Sequence, residues 1–238
     1  MTPSGRRVTD RLASQLAQTR SGDPRANVLS ELRRLMLSGG APPGAQIAPG
    51  EIADAFGVSP IPVREALQTL VGEGLVVHRP HAGYRVCELS LAELREIYFV
   101  RGVLEQAALA RAVELIRSED LELARAQHQE LLTAARFDDR TAFHATSRMF
   151  HRTLTAPCDM PRLMHMFEAT WNLTDPFQVM RAVTADTRRR LNDDHAALLD
   201  AFAARDVDAV AQVARLHHGR LESAIVETAE SLSVRHEE

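Results

Sequence analysis

The segment PGEIADAFGVSPIPVREALQTLVGEGLVVHRPHAGYRV (residues 49–86) contains two short helical patterns. In the first, apolar residues recur at helical spacing up to Phe56, and Gly57 ends the pattern. In the second, Ser59 suits the N-cap and Pro60 suits the first helical position, and apolar residues follow at i, i+3 and i+4 spacing. The segment therefore predicts two helices joined by a tight turn.

Two strand-like runs follow the second helical pattern. Gly72 and Gly74 end the helix, and residues 75–77 and 84–86 have the composition of short strands. The tip between them, residues 79–83, is basic and contains proline and glycine. Helix, turn, helix and hairpin in this order make a winged helix-turn-helix, whose second helix lies in the DNA major groove. An ordinary pair of core helices is the alternative, but the proline-rich helix start and the basic hairpin favour DNA binding.

Several motifs of this region resemble the DNA-binding domain of the GntR family of bacterial transcription regulators. They are Pro43-Gly44, Gly57-Val58-Ser59, the run from Pro62 to Leu67 (PVREAL) and Glu73-Gly74-Leu75-Val76. The remainder resembles, with less specific motifs, the all-helical effector domain of the FadR-like (FCD) branch of that family. Together the two resemblances cover about residues 24–230, and they imply a ligand-responsive regulator of transcription.

The resemblance also indicates which side chains contact DNA. Many family members carry an arginine directly after the serine cap and another in the preceding helix, but this chain has Pro60 and Gly50 there. Arg64 is retained, and we expect it to make the main direct contact, since a guanidinium can bind guanine O6 and N7. The further candidates are Arg33 on the first helix, Ser59, Ile61 and Gln68 on the recognition helix, and Arg79, His81 and Gly83 at the wing tip.

Composition and charge are consistent with a DNA-binding module carried by a separate domain. Residues 1–86 hold 10 arginines and 7 acids, and residues 87–238 hold 18 arginines and 25 acids; the net charges of +3 and −7 sum to the −4 of the chain. A surplus of three positive charges also arises by chance in a domain of this size, so the charge of residues 1–86 supports the motif without proving it. The chain has no apolar run near the roughly 18 residues of a membrane span, no secretory signal and only two cysteines, so we expect a cytoplasmic protein that contacts no membrane.

The chain is predicted to have three parts. Residues 1–22 are polar and predict a flexible N-terminal arm, whose arginines either approach DNA phosphates or are simply solvated. Residues 23–88 form the winged helix-turn-helix domain, which opens with a helix at Asp23-Pro24. Residues 89–232 form a helical domain for effector binding and dimerisation.

The apolar period is helical from residue 89 onward, at about 3.6 residues per turn. Ser90 and Glu93 make a capping-box pattern for the first of these helices. Helices are predicted near residues 91–117, 119–136, 139–156, 159–173, 182–204 and 206–231. The predicted fold class is therefore mainly α, an N-terminal winged helix-turn-helix plus a C-terminal antiparallel all-helical bundle that is large enough to enclose a pocket.

Three histidines on different predicted helices, His151, His195 and His217, could converge in the bundle core. Three neutral imidazoles suit one divalent ion such as zinc or nickel, and the resemblance implies the same site, since FCD domains typically hold a metal with one aspartate and three histidines. This chain has Ser147 at the aspartate position, and a hydroxyl is a far poorer ligand. Two interpretations stay open: a three-histidine site completed by water, or a pocket that binds its effector without metal. His218 is expected to point about 100° away from His217 and is not included.

Arg101 is a candidate for recognising the effector. Its guanidinium could pair with the carboxylate of an organic acid, the effector class that the resemblance implies; a salt bridge with Glu105 at i+4 is the alternative. Ser147, Trp171 and Asn172 are candidates for lining the same cavity, although Trp171 also suits an ordinary core position.

These patterns are compatible with two functions. The first is a homodimeric transcription regulator, a repressor, whose affinity for a double-stranded DNA operator is controlled by a small-molecule effector. The second is a metal-dependent enzyme that uses the histidines to hold a catalytic ion. No glutamate stands beside them in a hydrolase spacing such as H-E-x-x-H, so the sequence favours a regulator without enzymatic activity.

Overall fold

The computed structural model describes residues 24–177 and 183–234, and within these the side chains of residues 28–177 and 183–227. The predicted N-terminal arm, residues 1–22, lies outside the described residues. The chain forms two compact units, and the boundary in the first half of the chain falls between Leu89 and Ser90. Residues 172–177 belong to the first unit.

The N-terminal unit is a winged helix-turn-helix, as the sequence predicts. Its elements are α1 (Pro24–Leu37), β1 (Gln46–Ile47), α2 (Pro49–Phe56), α3 (Pro60–Gly72), β2 (Val76–Arg79) and β3 (Gly83–Val86), and a 3-10 turn (Asp175–Phe177) joins this unit from later in the chain. The three strands form one antiparallel sheet in the order β1-β3-β2. Fully buried apolar side chains of α1, α2, α3 and the sheet form its core.

The turn between α2 and α3 depends on Gly57. Its φ of 64° is left-handed, which costs glycine little, and its N–H bonds back to the carbonyls of the last turn of α2. Ser59 has the extended backbone of an N-cap and Pro60 occupies the first turn of α3, although the Ser59 hydroxyl makes no capping hydrogen bond. The tight turn is therefore set by glycine and proline rather than by side-chain capping.

The wing is longer than the sequence pattern predicts. Strands β2 and β3 pair from Val76 with Val86 to Arg79 with Gly83, so both residues 79 and 83 lie within the ladder. The tip consists of residues 80–82, and His81 adopts a φ of 63° there.

The second unit consists of helices, as predicted. They are α4 (Leu91–Leu115), α5 (Ser118–Arg136), α6 (Arg140–Thr155), a 3-10 turn (Ala156–Cys158), α7 (Pro161–Thr174, of which residues 161–171 belong to this unit), α8 (Ala185–Ala204) and α9 (Val207–Val234). The predicted capping box is present, since the Ser90 hydroxyl accepts from the Glu93 N–H and the Glu93 carboxylate accepts from the Ser90 N–H. Within the described ranges, no helix combines the length and the apolar character needed to cross a bilayer.

Candidate DNA interface and histidine cluster

The recognition helix α3 has one buried and one exposed face. Its buried face packs into the core of the unit through Val63, Ala66, Leu67 and Leu70. Ser59, Ile61, Arg64 and Gln68 are all exposed, and the last three recur at i, i+3 and i+7 along one face. These four predicted DNA-contacting residues therefore lie together on the surface.

Gln68 has a partner within the domain. Its amide Nε2 donates to the hydroxyl of Tyr84 on β3 at 3.1 Å, and the Tyr84 ring lies 4.4 Å from the ring of His78 on β2. Gln68 thus ties the recognition helix to the wing, and a base contact by its amide would compete with this hydrogen bond.

Arg33 also has a partner within the domain. Its Nε and Nη2 donate to the two carboxylate oxygens of Glu73 at 2.9 and 2.5 Å, which is the two-pronged geometry of a strong ion pair. The hydrogen bonds that Arg33 donates to Glu73 raise the pKa of Arg33, against the opposing effect of partial burial. Arg33 therefore fastens α1 to the end of α3, and a phosphate contact would compete with Glu73.

Arg79, His81 and Gly83 mark the end of the wing. The side chains of Arg79 and His81 are exposed, and Gly83 is half-buried with a φ of 76°. The positive φ of two residues within three positions folds the hairpin back tightly. The wing therefore presents a basic, narrow end on the surface of the DNA-binding unit.

The second unit brings His151, His195 and His217 together. They come from α6, α8 and α9, are all buried, and each offers a ring nitrogen within 4.8 Å of those of the other two. Their ring centroids lie 4.8 to 5.1 Å apart. Three side chains that are far apart in sequence therefore form one compact cluster of nitrogen ligands.

The environment of His195 and His217 favours their neutral forms. Burial, together with the neighbouring histidines, holds the pKa of His195 well below its usual range. Burial likewise lowers the pKa of His217 to about 4, although Asp194, whose Oδ2 lies 3.6 Å from His217 Nδ1, opposes the shift. Neutral imidazole is the form that binds a metal ion.

Three nitrogen atoms of the cluster lack a hydrogen-bond partner among the described residues: Nδ1 and Nε2 of His195, and Nδ1 of His217. Buried polar atoms are usually paired, and each unpaired atom costs about 1–3 kcal/mol. A divalent ion with nitrogen ligands would satisfy lone pairs here, so the residues present fit such an ion.

Sequence reasoning missed Glu105 and His218, which also line the cavity beside the cluster. Glu105 Oε1 lies 2.5 Å from Nδ1 of His151, and its Oε2 lies 2.7 Å from Nε2 of His218. His218 is not one of the three converging histidines, as its exclusion from the predicted metal site requires, but it still reaches the cavity through Glu105. A Cβ at residue 102 would lie 3.2 Å from Cγ of His218, so Gly102 lets α9 approach α4 closely enough for His218 to reach Glu105.

Arg101 lies in the same cavity, and its contacts with two aromatic rings and a backbone carbonyl do not include the salt bridge with Glu105 that was the alternative interpretation. Its guanidinium is buried between the rings of Tyr98 and Trp171, 4.3 and 4.2 Å from their centroids, and Nη2 donates to the Thr170 carbonyl at 2.9 Å. Both carboxylate oxygens of Glu105 are instead bonded to histidines. The position thus combines a buried cation with two aromatic faces.

Two of the three remaining residues that are predicted to bind the effector line the cavity. Ser147 and Trp171 line the cavity, whereas Asn172 does not, because the helix turns about 100° between Trp171 and Asn172. The cavity has a volume of about 10 Å³. This is the space that one water molecule needs, so an organic acid enters only if lining side chains move.

The fold, the exposed face of α3 and the buried histidine cluster define a winged-helix protein whose helical domain contains a polar, histidine-lined cavity. Residues 24–86 match the bacterial regulatory proteins of the gntR family, and residues 96–220 match the FCD domain. The chain therefore belongs to the GntR family and carries an FCD domain. It is a DNA-binding transcriptional regulator.

Similar proteins share this organisation. The chain is 30% identical to a probable D-xylose utilization operon transcriptional repressor of Paenarthrobacter nicotinovorans, over 82% of this chain and 86% of the relative. It is 30% identical to the transcriptional repressor RspR of Escherichia coli, over 74% and 77%. The solved structure of E. coli McbR/YncC has the same fold, with a TM-score of 0.76 at 24% identity over 88% of this chain and all of that one. These relatives are named as regulators of transcription rather than as enzymes.

Proposed function

We propose that the protein is a homodimeric repressor whose affinity for its operator is controlled by a small organic acid bound in the FCD domain, at a divalent metal ion. The observation that carries this proposal is the buried convergence of His151, His195 and His217, with both ring nitrogens of His195 lacking a partner among the described residues. His151, His195 and His217 would hold the ion, and zinc or nickel suits three nitrogen ligands.

The metal would supply a positive centre that binds a carboxylate or hydroxyl oxygen of the effector. Arg101 is the second group suited to an anion, since it is a buried guanidinium that lines the same cavity. The cavity volume of about 10 Å³ is too small for such a molecule. Binding of an organic acid would therefore displace side chains that line the cavity. A ligand alters DNA affinity only to the extent that it favours one arrangement of the protein over another.

Dimerisation is supported by an exposed apolar face on α4. Phe99, Val100 and Val103 are 65%, 40% and 53% exposed, and Phe99, Val103 and Ala107 recur every four residues along the helix. Because symmetric operators match two-fold dimers, pairing of two chains would present two recognition helices to two half-sites.

The repressor proposal is tested by combining metal analysis with DNA binding. The purified, untagged protein is analysed for metals by elemental mass spectrometry after growth with zinc and nickel, and its affinity for an operator selected from random DNA is measured with and without organic acids. About one ion per chain, together with an acid that weakens operator binding only in the metal-loaded protein, supports the proposal. A metal-free protein that responds to the same acid would instead favour recognition by Arg101 alone.

A further inference from the structure

We infer that Glu105 is the positioning carboxylate of the histidine cluster, and that it supplies from α4 the negative charge that Ser147 does not. This inference rests on the metal site proposed above. It starts from a difference in the ligand set: the cavity contains three imidazoles and the hydroxyl-bearing Ser147, but it also contains a carboxylate that is 1% exposed.

The hydrogen bonds of Glu105 determine which nitrogen of His151 is available. An ionised carboxylate only accepts, so its 2.5 Å contact places the proton of His151 on Nδ1. In a neutral ring the lone pair then lies on Nε2, the nitrogen on the other side of the ring. Carboxylates in this position commonly fix the tautomer and orientation of a metal-binding histidine.

Glu105 is hydrogen-bonded to histidines, although Arg101 lines the same cavity. Asp194, the other buried acid near the cluster, forms a salt bridge with Arg220. The hydrogen-bond partners of the Glu105 carboxylate are His151 and His218. A divalent ion on three neutral imidazoles would keep its full charge in a buried site, and a buried charge is costly unless an opposite charge lies near it. Glu105 is placed to provide that charge through His151.

The test is a metal titration of the full-length protein after removal of metal with a chelator. Ni²⁺ is titrated against a competing chelator into the wild type and Glu105→Gln, with Glu114→Gln as the control because Glu114 is an exposed glutamate on the same helix. We expect Glu105→Gln to weaken Ni²⁺ affinity about 10- to 100-fold and Glu114→Gln to leave it unchanged. Circular dichroism and operator binding establish that each variant is folded.

A second variant separates positioning from simple damage to the core. Adding Ser147→Asp to Glu105→Gln places a carboxylate back in the site, and we expect it to recover part of the lost affinity. Weakening without recovery overturns the inference as stated, as does a Glu105→Gln protein that binds Ni²⁺ like the wild type. Absence of Ni²⁺ binding by the wild type overturns both this inference and the proposed metal site, whereas normal binding by both proteins overturns the inference alone.

An independent observation on the DNA-binding unit concerns Ile61. Its side chain is 63% exposed. Among residues 28–89, the only other large apolar side chain that is exposed is that of Val77, at 37%. Ile61 stands in the first turn of α3, and the first residues of a recognition helix are those that contact base edges. The apolar feature of the major groove is the C5-methyl group of thymine.

We further propose that Ile61, which lies one turn before Arg64 on α3, recognises a thymine methyl group in each operator half-site. The operator selected from random DNA is resynthesised with each thymine replaced in turn by uracil, which lacks the methyl group. Loss of one buried methyl contact is worth about 0.8 kcal/mol, or roughly a fourfold loss of affinity. For the wild type and for Arg64→Ala, we expect uracil at one position per half-site to cause this loss of affinity. For Ile61→Ala, we expect operators with thymine and with uracil at that position to bind equally well. Insensitivity of the wild type to every uracil, or equal sensitivity of Ile61→Ala, overturns the proposal.

Discussion

The stability of the metal-free FCD domain should fall between pH 7 and pH 5, and His217 should account for about 2 kcal/mol of that fall. The pKa of His217 is lowered from its ordinary 6.5 to about 4 in the folded protein, mainly by burial. Between these values the unfolded chain binds a proton that the folded chain does not, so acidification favours unfolding. The lowered pKa of His217 therefore reduces the free energy of unfolding by about 0.2 kcal/mol at pH 7 and by about 2 kcal/mol at pH 5.

The chosen pH range isolates the histidines. Glu105 has a pKa well below 4.5 in the fold, because its interactions with His151 and His218 outweigh the opposing effect of its burial. Its contribution is therefore fully present above pH 4.5 and is lost only in more acid solution. His195 is also shifted downward, but it is retained in the variant used for comparison.

The assay is urea unfolding of the chelator-treated protein, followed through Trp171. This is the only tryptophan of the chain, and its ring lies 6.0 Å from that of His151, so its fluorescence reports on the domain that contains the cluster. Between pH 7 and pH 5, the free energy of unfolding of His217→Gln should fall by about 2 kcal/mol less than that of the wild type. The urea midpoint of the variant should accordingly shift by roughly 1 M less than the midpoint of the wild type. Equal pH dependence of the two proteins would refute the view that His217 is buried in its neutral form.

Three further outcomes are expected. Arg64→Ala should weaken operator binding by about 1–3 kcal/mol with the fold intact, as measured by gel-shift titration and circular dichroism; an unchanged affinity would remove Arg64 as the main base contact. His195→Ala should lower the metal content of the purified protein while apo operator binding stays intact, and loss of the fold would instead mark His195 as a core residue. Phe99→Arg should shift the protein from dimer to monomer in sedimentation equilibrium, whereas the same change at the exposed Leu132 on α5 should not; a dimer in both cases would exclude this face of α4.

Local patterns were enough to predict the elements of the fold. Gly57 and Pro60 fix a tight turn through backbone conformations that few other residues favour, and the Ser90–Glu93 capping box marks where the helical domain begins. Because such signals act within a few residues, helix ends in the bundle were predicted to within about three residues. The wing was predicted too short, since its ladder continues into a tip whose composition is typical of a loop.

Sequence patterns did not predict the contacts between side chains that are far apart in sequence. Arg33 and Gln68 were predicted only from their exposed positions, and the structure pairs them with Glu73 and Tyr84, residues that lie 40 and 16 positions away. A helical period shows which face a residue occupies but not which element packs against that face. Exposure in a pattern therefore does not show whether a side chain already has a partner within its own domain.

Sequence patterns are sufficient to predict a winged-helix regulator with a helical C-terminal domain and to place three histidines on three helices of that domain. The packing of the helices brings Glu105 and His218 beside them. One available signal was a glutamate on a buried helical stripe, but its partner His218 comes from 113 residues away, through a close approach that depends on Gly102. Periodicity is a property of one helix, whereas a site inside a bundle is a property of how several helices pack.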